Sequence, residues 1–248
     1  MTLEVFFHAH PETAIAFSGG VDSAYLLYAA ARYARRHRAY YVQSSFQPGF
    51  EREDARRLAD ALSAELTVLE LDVLAVGGVA GNPANRCYLC KTAIMSAIWA
   101  RARADGFSVL LDGTNASDDD GDRPGMRALR ELGVLSPLRL CGLRKDEIRR
   151  RSREAGLFTW DKPAYACLAT RIPTGEPITA EKLHAVEQAE AFLASLGFTD
   201  FRVRTQAGHA RIQLRQAQLP LLLEHRAEVA ATLRRWYRTV SLDLEVRG

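Results

Sequence analysis

A short apolar run at residues 13–17 leads straight into Ser18-Gly19-Gly20-Val21-Asp22-Ser23, and a long apolar stretch follows over 22–37. Strand, glycine bend and helix in immediate succession confine the chain to folds in which a helix starts at the carboxyl end of a strand. Ala24, Tyr25, Leu26, Leu27, Ala29 and Ala30 make that helix apolar nearly all round, which predicts that it is largely buried. The two glycines permit positive φ and let backbone N–H groups approach a ligand. The helix N-terminus adds aligned donors and a partial positive charge. Ser18 and Ser23 hydroxyls can donate to phosphate oxygens, and Asp22 can help to hold Mg²⁺. No lysine follows the glycines, so this is not a Walker loop. The pattern suits a pyrophosphate that leaves. The bland reading is a Gly-Gly turn with Asp22 as a helix cap; the flanking apolar strand and buried helix argue against it.

The elements that follow alternate. Residues 39–42, 66–71 and 108–111 read as strands, and 51–63, 91–104 and 144–155 as helices. Alternation predicts an α/β fold, a doubly wound parallel sheet with helices on both faces. Ligands then sit at the carboxyl ends of the strands. The turn at Ser18 and the one at Asp112-Gly113-Thr114-Asn115 should therefore open onto one crevice, with Gly113 and Thr114 available to a nucleotide. Asp118-Asp119-Asp120-Gly121-Asp122 is an acidic run of the kind that is usually a solvated loop, with Mg²⁺ as an option. Arg123-Pro124-Gly125 then leads into a helix. After residue 160 the texture changes. Residues 160–177 hold three prolines and little periodicity, which marks a linker. A helix (180–196), strands (200–205 and 210–214), a helix near 218–236 and a last strand (239–246) predict a small α+β domain. The expected division is 1–160, a linker at 161–178 carrying Cys167, and 179–248.

The chain has 248 residues, 48% hydrophobic and 25% charged, enough for a sizeable core. No window of about 18 apolar residues exists, so no membrane-spanning helix is expected. The first residues lack a basic n-region, so no secretory signal is expected. A formal charge of +3 is too mild to argue for nucleic acid. Arg149, Arg150, Arg151 and Arg153 read as a solvated helix face. Four cysteines do not make a disulfide scaffold, and a reducing cytoplasm is the simplest compartment. Cys87 and Cys90 stand three apart at a helix start, where both sulfurs can meet one ion or cluster. Cys167 lies in a loop with basic neighbours, which favours a thiolate nucleophile or ligand. Three thiols and no evident fourth ligand suit an iron–sulfur cluster with one open iron better than structural zinc. Cys141 reads as a small apolar residue. Arg202 and Arg204 alternate on one side of a strand, where two guanidiniums suit a phosphate.

Taken together, Ala16-Phe17-Ser18-Gly19-Gly20-Val21-Asp22-Ser23, Asn82-Pro83-Ala84-Asn85-Arg86-Cys87-Tyr88-Leu89-Cys90-Lys91, Asp112-Gly113-Thr114-Asn115, and Trp160-Asp161-Lys162-Pro163 running into Cys167-Leu168-Ala169-Thr170-Arg171-Ile172-Pro173 resemble one family. This is the LarE family, sulfur-inserting enzymes of the PP-loop ATP pyrophosphatase type, and the likeness runs over residues 13–244. The resemblance implies that ATP, with Mg²⁺ at Asp22, adenylates a carboxylate of pyridinium-3,5-biscarboxylic acid mononucleotide. Sulfur then displaces AMP, and a nickel-pincer nucleotide cofactor is the eventual product. It implies two ways of delivering sulfur: a cysteine at position 167 that sacrifices its own, or Cys87, Cys90 and Cys167 holding a 4Fe-4S cluster. The presence of all three favours the cluster. It places Arg202, Arg204 and Glu190, with Arg171 as a further candidate, near the substrate phosphate. It also implies a cytoplasmic homohexamer.

Some features depart from the family. The segment before the bend is short, and Ser44 and Ser45 leave the adenine contacts open. The rival readings are a tRNA thiolase or other adenylating synthetase on the same scaffold, and a non-catalytic nucleotide-binding regulator. The first calls for a basic RNA-binding face that +3 hardly supplies.

Overall fold

The computed structural model describes residues 1–118, 124–163 and 165–245. The expectations that fall on Asp119, Asp120, Gly121, Asp122, Arg123 and Ala164 lie outside the described residues. The elements in the first two-thirds of the chain are α1 (Leu3–Ala9), β1 (Glu12–Ala16), α2 (Val21–Tyr33), β2 (Arg36–Gln43), α3 (Gly49–Ala61), β3 (Leu66–Glu70), α4 (Arg86–Ala104), β4 (Leu110–Leu111), α5 (Pro124–Glu131), α6 (Pro137–Leu140) and α7 (Lys145–Glu154). The remainder are α8 (Ala180–Ser195), β5 (Arg202–Gln206), β6 (His209–Gln213), α9 (Leu219–Glu224), α10 (Arg226–Leu233) and β7 (Thr239–Leu242). No helix among the described residues is long and apolar enough to cross a membrane.

The chain forms two compact units. The first comprises Met1–Val76 and Asn85–Tyr165, the second Gly77–Ala84 and Ala166–Gly248. The first unit is α/β, built on a four-stranded parallel sheet in the order β3-β2-β1-β4. Successive strand residues face opposite sides, and the sheet obeys this. Ile15, Ala39, Tyr41 and Leu111 pack with α1, α2 and α3. Ala14, Ala16, Tyr40, Val42 and Leu110 pack with Met95, Ile98 and Trp99 of α4 and Leu129 of α5. Both faces are thus covered, which is why the strands read as continuous apolar runs. Ala24, Leu26, Leu27, Ala29 and Ala30 of α2 are buried, as their all-round apolarity predicts.

Several boundaries differ from expectation; α4, for example, starts at Arg86 and so takes in both Cys87 and Cys90. His37 belongs to β2, because Ala34 turns to an extended ψ of 145° and the next residues pair with β1. Ladder formation overrides a helical composition there. The strand at 108–111 narrows to Leu110–Leu111, and the edge is continued by Leu135, whose N–H donates to the Leu110 carbonyl at 3.0 Å. The helix at 218–236 divides into α9 and α10 around His225, whose ψ of 8° leaves the helical range. The N-terminal helix α1 is capped by Thr2, whose hydroxyl accepts the Val5 N–H at 3.3 Å.

The second unit is α+β. Its sheet runs β5-β6-β7, with β5–β6 antiparallel and β6–β7 parallel. Val203, Ala210 and Ile212 face Ala189 and Leu193 of α8 and Leu233 of α10. The stretch Gly77–Ala84 is held here by main-chain bonds. Gly175 N–H donates to the Asn82 carbonyl at 2.8 Å, and Ile178 N–H to the Ala80 carbonyl at 2.8 Å.

Candidate active site

The bend after β1 is built by its own hydroxyls. Ser18 N–H donates to Ser23 Oγ (3.2 Å), Gly20 N–H to Ser18 Oγ (3.4 Å), and Ser23 Oγ–H to the Gly20 carbonyl (3.1 Å). Gly19 holds φ at +72°, a value that glycine adopts without strain. The second turn presses against this bend. A Cβ on Gly113 would stand 2.8 Å from the Ser23 nitrogen and 3.1 Å from its Cα. Gly113→Ala is therefore expected to destabilise the protein by about 1–3 kcal/mol, because backbone rather than a flexible side chain must yield. Denaturant unfolding measures it, and a loss indistinguishable from zero would show that the two turns can separate freely.

Asp112 anchors the second turn. Its carboxylate accepts the Thr114 hydroxyl at 2.5 Å and the Ser136 hydroxyl at 2.6 Å, and Lys91 Nζ lies 3.9 Å away. Between the turns and the start of α4 lies a cavity of about 500 Å³. Its walls include Ser18, Gly20, Asp22, Ser23, Gly113, Thr114, Asp118, Cys87 and Lys91. Most of the expected nucleotide residues are thus brought together, with one of the cysteines. Gly19 shapes the bend without lining the cavity, and Cys90 follows one helical turn after Cys87. The Arg86 guanidinium lies 3.6 Å from Cys87 Sγ.

Burial pushes the Asp22 carboxyl above the ordinary carboxylate range, and Asp118 adds to the shift; the Lys145 ammonium opposes it. Lys145 Nζ stands 2.5 Å from Asp22 Oδ2. Lys162 meets Asp54 at 2.8 Å and the Gly19 carbonyl at 3.4 Å. Sequence reasoning assigned no role to these lysines. Lys91 could have been found, since it is four residues from Cys87 on one helix face. Lys145 and Lys162 come from distant segments and carried no such signal. Arg149 also departs from the expected solvated face, because it donates to the carbonyls of Trp160 (2.6 Å) and Lys162 (2.8 Å). Arg150, by contrast, is exposed and bonds Glu147 and Glu154 on its own helix.

Cys167, Arg171, Glu190, Arg202 and Arg204 belong to the second unit. Arg171 is 1% exposed and forms a two-toothed pair with Glu190, at 2.9 and 3.0 Å. Its Nη1 donates to the carbonyls of Ala166 (2.6 Å) and Cys167 (3.2 Å). Arg202 is nearly buried, and its Nη1 donates to the Phe201 carbonyl at 2.7 Å. Arg204 bonds Gln213 at 2.6 Å and the Thr170 carbonyl at 3.0 Å. It also lines a second cavity of about 550 Å³ with Arg171, His209 and Arg211. Cys141 packs against the core of the first unit, and burial pushes its thiol up, which suits the apolar role expected of it. Within either unit, no three His, Cys, Asp or Glu side chains among the described residues gather to hold a metal.

No protein-family profile matches the chain. It is 35% identical over 249 aligned residues to the uncharacterised protein slr1717 of Synechocystis, spanning 98% of this chain and 92% of the relative. It is 32% identical over 233 residues to the pyridinium-3,5-bisthiocarboxylic acid mononucleotide synthase of Lactiplantibacillus plantarum, spanning 93% of this chain and 84% of the relative. The chain belongs to the LarE family. An uncharacterised Methanocaldococcus jannaschii protein, MJ0830, is similar at 26% identity over 94% of the chain. The parallel sheet with helices on both faces is the Rossmann-like PP-loop fold of that family, with the Ser18–Ser23 bend at the carboxyl end of β1.

Proposed function

We propose that this LarE-family chain is an ATP-dependent sulfurtransferase. It converts carboxylates of pyridinium-3,5-biscarboxylic acid mononucleotide to thiocarboxylates, the product class named for its L. plantarum relative. The observation that carries this reading is one cavity lined by the phosphate loop and by Cys87 together. A carboxylate oxygen is a poor leaving group, and AMP a better one. Backbone N–H groups at the bend and the α2 N-terminus favour negative charge on the departing pyrophosphate. Asp22 is the residue to hold Mg²⁺, having a buried oxygen with no hydrogen-bond partner.

Thiols are also the donor type that an iron–sulfur cluster takes. Cys87 and Cys90 lie one helical turn apart with Cys87 exposed, Cys167 is a half-buried third thiol, and all three are free of disulfides. In this reading Cys87, Cys90 and Cys167 would hold a 4Fe-4S cluster, whose chemistry there would be to present sulfur at the sulfide level to the activated carboxylate. The substrate phosphate falls to the Arg204 side of the second unit, with Arg202 and Glu190 supporting it.

The reading is tested by incubating anaerobically reconstituted protein with the mononucleotide, ATP and magnesium. Substrate-dependent pyrophosphate release and a thiocarboxylate product by mass spectrometry are expected; release without sulfur incorporation would favour a different adenylating enzyme. Reconstitution with iron and sulfide is expected to give a visible absorbance band that Cys87→Ser weakens. Protein that takes up zinc and never iron overturns the cluster.

A further inference from the structure

Arg86 stands where a cation is poorly placed. It is the first residue of α4, at the positive end of the helix dipole, and no acidic residue stands in the first turn to offset it. It is also buried, at 8% exposure, which removes most of the water that a guanidinium ordinarily keeps. A charge held against both costs has a reason to be there, and the neighbouring thiol supplies one. Arg86 Nη2 lies 3.6 Å from Cys87 Sγ, within reach of an N–H···S hydrogen bond.

The sulfur it meets is the one at the cavity. Cys87 is exposed and lines the cavity beside the glycine bend. The helix that carries it is fastened by other side chains. The Tyr88 hydroxyl donates to Glu131 at 2.5 Å, the Arg127 guanidinium lies 4.1 Å over the Tyr88 ring, and Trp99 Nε1–H donates to the Leu132 carbonyl at 2.9 Å. These contacts tie α4 to α5 and the residue that follows it. What Arg86 adds therefore falls on the sulfur.

We infer that Arg86 is a positioning residue for the Cys87 sulfur. Its N–H···S bond selects the side-chain rotamer that faces the cavity. The same bond draws negative charge from that sulfur, which raises the reduction potential of an iron–sulfur cluster held there. The physical reason is simple. An added electron puts more charge on the sulfurs, and a positive donor stabilises that reduced form more than the oxidised one. The inference rests on the cluster reading above and adds a residue to it.

The test uses the whole protein reconstituted anaerobically with iron and sulfide, wild type beside Arg86→Met and Arg86→Lys. Iron per chain is measured first, then the reduced fraction at fixed potentials by electron paramagnetic resonance. Arg86→Met is expected to lower the reduced-to-oxidised ratio about tenfold, the scale of one charge-assisted hydrogen bond. For one electron that is a fall of about 59 mV. Arg86→Lys, which keeps the charge, should retain part of the wild-type ratio, an ordering that a merely structural part would not give. Should Arg86→Met fail to fold or to take up iron, Arg86→Gln, which keeps an N–H donor, is measured in its place, with a smaller fall of the same sign expected. A potential equal to wild type, an equal shift in every variant, or iron lost from all of them alike overturns the inference. Wild type that takes up no iron overturns the cluster reading, and this inference with it, before any variant is compared.

Discussion

Cys167→Ala is expected to abolish thiocarboxylate formation while substrate-dependent pyrophosphate release persists. The reason lies in what holds each part in place. The loop around Cys167 is built on its main-chain oxygen, which accepts from the Thr170 N–H (3.0 Å), the Thr170 hydroxyl (2.8 Å) and Arg171 Nη1 (3.2 Å). None of these bonds uses the sulfur, so alanine keeps them. The glycine bend after β1 and the turn at Gly113 lie in the other unit and have their own bonds. Removing the thiol should therefore cut sulfur transfer by about a thousandfold, the scale of losing one member of a catalytic set. Adenylation should stay within reach of a pyrophosphate assay. Equal thiocarboxylate yield from the variant would reject any part for this thiol in sulfur delivery.

Glu190→Ala is expected to cost about 3–5 kcal/mol of stability, because it strands a buried guanidinium without its counter-charge. Arg171 and Glu190 are 1% and 5% exposed, so solvent screens the pair little. Glu190 Oε1 also accepts the Val203 N–H at 3.0 Å, so the same change frees a strand amide in β5. A denaturant titration followed by tryptophan fluorescence and far-UV circular dichroism measures the loss. A loss below about 1 kcal/mol would mean that water enters and solvates the guanidinium, and that the pair is not a structural fastener. Replacing both residues with apolar ones should recover much of the stability, as buried pairs often allow. It should not restore the order of the Ala166 and Cys167 carbonyls, which Arg171 alone of the pair contacts. Sulfur transfer is then expected to stay low in a protein that is stable again.

Local chemistry written in contiguous residues was readable in the sequence. Ser18 to Ser23 is such a string, lying between a strand and a helix as read, and so are the short apolar runs that became β1 and β2 and the Cys87/Cys90 pair near a helix start. Each rests on a short run or motif of contiguous residues. What depends on distant segments meeting was not readable. The resemblance offered Arg171 as a further candidate for the substrate phosphate, and nothing local foretold that its side chain grips Glu190 and two carbonyls. Arg149 looked solvated, and it pins the chain at Trp160 and Lys162. An arginine's destination depends on which carbonyl the tertiary fold leaves open, and no local pattern encodes that. Helix α1 is a different case. Leu3, Phe6 and Phe7 have helical spacing and are buried, so its signal was present and simply went unread.

The route of the chain bears on how the protein must be synthesised. Residues 77–84 leave the ribosome long before 175 and 178, whose N–H groups satisfy the carbonyls of Asn82 and Ala80. Asn82 is 1% exposed and donates its side-chain amide to the Pro173 carbonyl at 2.7 Å, so a nascent chain holds this stretch unpartnered until roughly ninety more residues emerge. A protease cut at 165 would not yield two self-sufficient fragments. The amino-terminal piece would keep a strip that belongs to the other, and the carboxyl-terminal piece would fold with a gap where that strip should lie.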